Sequence, residues 1–261
     1  MEEKYSPQKE IGKEIGKEIE ELIKPYLKKS KDNNYFKYYV STIDGRPKKI
    51  FFLLEKPGRP QDKKQNEESE SESERIAKLK YGEYEEHIGI CIEYLKKWIK
   101  KNKVFQEILE KYGFLLDEEN YAITDTMKLT PAFYDEFYDK FSKKERKKTE
   151  IKEAEKNIRK IMIKILKKEI GLINPQVIFI MGTGALKYIT DNFKFEENMC
   201  KKICKIHGDL FKVKDKEMWV MPLLHPSDRT NYPKKAYTYY MQVGIEKLKG
   251  KLNMKLISKG D

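Results

Sequence analysis

Cysteine is scarce in this chain: Cys91, Cys200 and Cys204 are the three among 261 residues. So few thiols cannot build a disulfide framework, so stability has to come from a buried core. Long apolar runs are missing too. None approaches the roughly 20 residues needed to span a bilayer; Val177 to Met181, as long as any, is strand-sized. The Met1 end reads EEKYSPQKEIGKEIGKEIEELIK and has no apolar signal core. The expectation is a cytoplasmic protein with no membrane partner, nucleoid-associated if it binds DNA. Histidine is rare, at His87, His207 and His225. Arginine is rare within the basic set: six of 55 basic residues, the rest lysine.

What is present is a charged, globular composition. Hydrophobic residues make up 39% and charged residues 38%, enough apolar content for one large domain or two small ones. The 55 basic residues exceed the 43 acidic ones by 12, a surplus that favours polyanionic partners such as nucleic acid.

Residues 9–20 repeat KEIG-KEIG-KEIE, placing Ile11, Ile15, Ile19 and Ile23 on one helical face. Gly12 and Gly16 each cost about 1 kcal/mol against alanine in a helix, so this helix needs packing to persist. It is expected to dock on the domain and to end or bend at Pro25. Tyr35 to Ser41 alternates like a strand. Ile50 to Leu54 (IFFLL) reads as a central strand buried on both faces. Residues 66–74, NEESESESE, cannot bury a core, so 59–76 is expected to be a disordered acidic insertion. Helices are expected at 84–101, 104–112, 143–168, 185–193 and 235–248. Residues 143–168 carry Ile158, Ile161, Ile165 and Leu166 on the apolar side. Further buried strands are Tyr121–Thr124, Val177–Met181 and Met218–Met221.

Strands alternating with helices predict the α/β class. The expected architecture is a three-layer αβα sandwich with a central, mainly parallel four-stranded sheet. The expected domains are 1–35, an N-terminal helical extension, 36–250, the main domain with its insertion, and 251–261, a tail. In such sheets the loops after the strand carboxyl ends build the site. They are 55–58, 125–131, 182–184 and 223–229.

Gly182-Thr183-Gly184 joins a buried strand to a helix. Its backbone N–H groups suit a phosphate, but the spacing is neither Walker-type nor GxGxxG, and a plain tight turn fits equally. His225, in LLHPSDR, is either an ordinary loop histidine or a neutral hydrogen-bond donor to a developing oxyanion. Cys200, Cys204 and His207 fall in CKKICKIH, where cysteines four apart on a helix could touch one metal. A fourth ligand is not evident, and no metal is assigned.

Taken together, the loops resemble those of the uracil-DNA glycosylase superfamily, especially its thermophile-type branch. The matching stretches are Leu54-Glu55-Lys56-Pro57-Gly58, ITDTMKLTP (Ile123 to Pro131), NPQVIFIMGTGAL (Asn174 to Leu186), His207-Gly208-Asp209-Leu210-Phe211, and VMPLLHPSDR (Val220 to Arg229). They come in the family's order and cover about residues 36–250. The resemblance implies base-excision chemistry. A damaged or deaminated base, uracil or a related one, is flipped into a pocket and its N-glycosidic bond is hydrolysed. Glu55 and His225 are then the catalytic residues, with Asp125 and Lys56 at the base. Pro57, Gly58, Gly182, Thr183, Gly184, Ser227 and Arg229 form the DNA-binding set. DNA, single- or double-stranded, is the partner, and a monomer is expected.

The departures from the family pattern bear on the chemistry. The branch's iron–sulfur cluster uses four cysteines, one where this chain has Leu129, so no cofactor is expected. Lys56 stands where other branches carry a water-activating Asp or Asn, and a cation cannot be that base. Asp125 replaces a base-reading Asn. An amide both donates and accepts, whereas an ionised carboxylate only accepts. Asp125 would therefore repel O4 of uracil unless protonated, or else favour an exocyclic amine. The alternative function is a catalytically silent nucleic-acid- or nucleotide-binding protein on the same fold.

Overall fold

The computed structural model describes residues 7–27, 47–55, 103–114, 121–129, 131–142, 148–224 and 234–252. The acidic insertion, the expected strand at Tyr35–Ser41 and the expected helix at 84–101 lie outside these residues. The described residues divide into two compact units. One draws on the stretches Met1–Arg46, Lys56–Glu93 and Asp125–Glu169; the other draws on Pro47–Glu55, Tyr94–Thr124 and Ile170–Asp261.

The sheet is built from apolar runs. β1 (Ile50–Leu54) and β3 (Val177–Met181) are buried at every position, as expected for strands covered on both faces. They pair in parallel with Phe52 opposite Phe179, and those two rings stack at 5.3 Å. β2 (Tyr121–Asp125) neighbours β1, and Tyr121 meets Phe52 edge-on at 5.9 Å. β5 (Trp219–Leu223) runs parallel to β3 on its other side. The order is β2-β1-β3-β5-β4, a mostly parallel sheet flanked by helices. Among the described residues it has five strands rather than the expected four. The addition is β4 (Phe211–Lys212), a two-residue antiparallel edge on β5.

β5 runs through Pro222 instead of stopping there. β4 pairs only with Trp219 and Val220, so the ladder on that side has ended before Pro222. The missing proline N–H costs no ladder bond, and the Pro222 carbonyl accepts from the Gly208 N–H at 2.9 Å.

Six helices are described. α1 (Pro7–Ile23) buries Ile15, Ile19 and Ile23, the repeat's apolar face, and ends just before Pro25. The Lys140 ammonium donates to the Pro25 and Leu27 carbonyls at 2.7 and 3.0 Å, placing a cation at the helix's carboxyl end. Lys168 pairs with Glu18, and Tyr26 meets Phe137 edge-on. α2 is Lys103–Lys111. α3 (Pro131–Ser142) opens on a proline, which suits a first helical position.

α4 (Lys148–Ile173) differs from the expected 143–168. It passes through Gly171 and stops where Asn174 takes a positive φ of 45° ahead of Pro175. Met162 rather than Ile161 completes its buried face. α5 (Thr183–Asn192) packs on β1 and β3, and α6 (Lys234–Lys251) packs on β5 and α2. α6 comes very close to the Gly208 turn. A Cβ on Gly244 would stand 2.0 Å from the Gly208 carbonyl oxygen, so the contact is backbone against backbone.

Candidate active site

The carboxyl ends of three adjacent parallel strands place Glu55, Gly182 and Leu224 along one edge of the sheet. Glu55 directly follows β1 and is exposed. Gly182, with φ of 98°, turns the chain from β3 into α5, a conformation that favours glycine. The Gly184 N–H at the start of α5 donates to Glu55 Oε2 at 3.1 Å. The helix N-terminus thus receives a carboxylate of the chain itself, as its dipole favours. A Cβ on Gly184 would lie 2.4 Å from the Glu55 side chain, so glycine permits this approach. Thr183, the first residue of α5, is exposed.

At the end of β5, both backbone groups of Leu224 are held. Its N–H donates to His207 Nδ1 at 3.2 Å, and its carbonyl accepts from the Tyr237 hydroxyl at 3.3 Å. His207 Nε2 lies 3.0 Å from the Tyr237 carbonyl oxygen. An N–H must donate and a carbonyl must accept, so Nε2 carries the proton and the ring is neutral. Burial lowers the His207 pKa, in keeping with that form. The ring stacks on Tyr237 at 4.6 Å. The hold of His207 and Tyr237 on Leu224 was missed by sequence reasoning. The signal was the HGDLF motif, which opens on one of the three histidines of the chain.

Asp125 closes β2 and is 3% exposed. Burial pushes its carboxyl up to about 7; the charge of Lys128 opposes the shift and that of Glu169 adds to it. Among the described residues, Oδ1 makes no hydrogen bond. Lys128 and Glu169 are both fully buried. Lys128 Nζ lies 2.6 Å from Glu169 Oε2 and donates to the Asp125 carbonyl oxygen at 3.3 Å. The contact with Glu169 is an ion pair by distance but is not aligned as a hydrogen bond. Burial raises the Glu169 pKa too, against the pull of Lys128. This pair was also missed. Its trace in the sequence is a glutamate four residues after Ile165 and three after Leu166, on the apolar face of α4.

A family model for the uracil DNA glycosylase superfamily matches residues 49–249. The chain belongs to this superfamily. No curated protein matches it. As a member of the superfamily it is a DNA glycosylase-like, DNA-binding protein, and no described helix is long and apolar enough to cross a membrane.

Of the residues expected in the glycosylase site, the structure describes Glu55, Asp125, Gly182, Thr183 and Gly184. It brings Glu55 and Gly184 into direct contact. Lys56, Pro57, Gly58, His225, Ser227 and Arg229 lie outside the described residues. Leu129, where the iron–sulfur branch has a cysteine, is buried and apolar. CKKICKIH is an irregular segment with a 3-10 turn at Ile203–Lys205, not a helix that would set Cys200 and Cys204 on one face. Cys200 and Cys204 are exposed there, while His207 is buried in the clamp on Leu224.

Proposed function

We propose that the protein is a DNA glycosylase that hydrolyses the N-glycosidic bond of a damaged or deaminated base in base-excision repair. Uracil or a related base is flipped out of the stack and read along its edge by Asp125. The observation carrying this is a buried carboxyl at the end of β2, whose Oδ1 lacks a hydrogen bond among the described residues, in the Ile-Thr-Asp segment that resembles the superfamily's base-reading Ile-Thr-Asn. Buried polar atoms normally have partners, and a base edge supplies one.

In this mechanism the bond from the base to C1′ breaks and water adds at C1′. The leaving base gathers charge on O2. His225, as a neutral imidazole, donates to that oxygen, and the Leu224 clamp fixes the backbone leading into it. Glu55 orients the water, with its carboxylate steered by the Gly184 N–H. The His-Pro-Ser loop, with Ser227 and Arg229, grips the phosphodiester backbone. The chemistry needs no cofactor.

Incubation with single-stranded oligonucleotides carrying uracil, hypoxanthine or cytosine, followed by cleavage at abasic sites, tests the activity directly. Product from one of them supports a glycosylase. DNA binding with no product from any base supports a silent nucleic-acid-binding protein. One observation favours that second reading: the Glu55 carboxylate is already engaged by the Gly184 N–H.

A further inference from the structure

We propose that the buried Lys128–Glu169 pair is the specificity determinant of this protein, because it holds Asp125 as the neutral acid and so makes it read a carbonyl-bearing base. The inference rests on Asp125 being the base reader and adds the two residues that decide what it reads.

Charge counting carries the inference. Among the described residues, three ionisable side chains, Asp125, Lys128 and Glu169, are enclosed together, at 3%, 0% and 0% exposure. They comprise two carboxyls and one ammonium. With both carboxyls ionised, the cluster would hold an uncompensated negative charge away from water, which is costly. With one proton retained, it is neutral overall.

Geometry says which carboxyl keeps the proton. Lys128 Nζ stands 2.6 Å from Glu169 Oε2, while its contact with Asp125 is to the backbone carbonyl. Glu169 is therefore the ionised partner and Asp125 the acid. Among the described residues the charges acting on Asp125 are those of Lys128 and Glu169; burial raises both carboxyls, and it is the 2.6 Å approach of Lys128 that assigns the charge to Glu169.

A neutral carboxyl offers one O–H donor and one C=O acceptor, the same pair of functions as an asparagine amide. Set against a pyrimidine edge, the O–H can donate to O4 and the carbonyl can accept from N3–H. An ionised Asp125 would instead accept from the exocyclic amine of cytosine or adenine. The identity of the excised base is thus set one step behind the reader, by which carboxyl the lysine neutralises.

Two variants move the proton in opposite directions. Glu169→Gln removes the carboxylate that balances Lys128, so the ammonium stabilises an ionised Asp125. Lys128→Met removes the cation, so both carboxyls stay protonated. The Asp125 carboxyl is followed by 13C NMR with labelled aspartate, across pH 4 to 9, in the wild type and both variants. Excision is measured on uracil and cytosine oligonucleotides at pH 6.5. The Asp125 midpoint is expected near neutrality in the wild type, lower in Glu169→Gln and higher in Lys128→Met. The ratio of uracil to cytosine excision should fall by about tenfold or more in Glu169→Gln and should not fall in Lys128→Met. A merely structural role would shift both midpoints alike or neither.

An Asp125 carboxyl that titrates in the ordinary carboxylate range in the wild type, or is unmoved by Glu169→Gln, overturns the inference. So does an unchanged excision ratio alongside a shifted midpoint. If the midpoints move as expected while no base is excised by any form, the proton placement stands and the glycosylase reading falls.

Discussion

At the scale of single residues, the buried carboxyl of Asp125 ties stability to pH. Its folded pKa, about 7, is above the ordinary 3.8. Between those values the folded chain keeps a proton that the unfolded chain has released, so stability falls as pH rises through this window. Asp125→Asn lacks that titration. Its stability relative to wild type should rise from near parity around pH 4 to a few kcal/mol in its favour at pH 8, read from urea unfolding at several pH values. Equal slopes for the two proteins would mean that Asp125 is ionised throughout. Gly184→Ala makes a different demand. The added Cβ displaces the Glu55 carboxylate from the Gly184 N–H. Misplacing a reacting group can cost about a hundredfold in rate, so base excision should drop on that order while the unfolding midpoint barely moves. Asp125 and Glu55 were legible as candidates because each ends or directly follows an apolar run. Glu169 was not. It is one glutamate among several on a charged helix, and only the fold reveals that Lys128 meets it there.

Among the elements, α6 gives the sharpest contrast. Gly244 packs on the Gly208 backbone with no room for a Cβ, whereas Gly250 on the same helix has nothing within 4 Å. Gly244→Ala should destabilise by at least about 1–3 kcal/mol, as overpacking does. Gly250→Ala, near the helix end, should be neutral or stabilising by up to about 1 kcal/mol. Thermal or urea unfolding of the pair checks this, and similar values for both would contradict the close approach. The boundaries of β1 and β3 could be read residue for residue, since IFFLL and VIFIM are unbroken apolar runs bounded by polar residues or glycine. β4 could not, because two residues leave no periodicity. β5 was cut short at Pro222, a residue that argues against a strand until the end of its neighbour is known. The exit of α4 was misplaced for a related reason. The stop signal is the backbone of Asn174, not a break in composition.

For the whole molecule, the surplus of 12 positive charges predicts salt-sensitive association with DNA. Affinity for a labelled oligonucleotide should fall at least tenfold between about 50 and 200 mM salt, in a log–log line whose slope counts phosphate contacts. A flat line would remove the electrostatic basis for DNA binding. The sheet order has a consequence for how the chain is made. β1 pairs with β3 from Ile50 opposite Val177, a separation of 177 − 50 = 127 residues. A ribosome adding roughly 5–20 residues per second leaves IFFLL without that neighbour for ~6–25 s. Over that interval the nascent chain carries a sticky apolar segment whose β3-facing edge stays open even once β2 has been made, and pairings this distant form slowly even afterwards. The segment is bracketed by Lys48 and Lys49 on one side and Glu55 and Lys56 on the other. Charges in such positions act as gatekeepers against aggregation, so neutralising all four should lower the soluble yield from translation even where the finished fold tolerates the change.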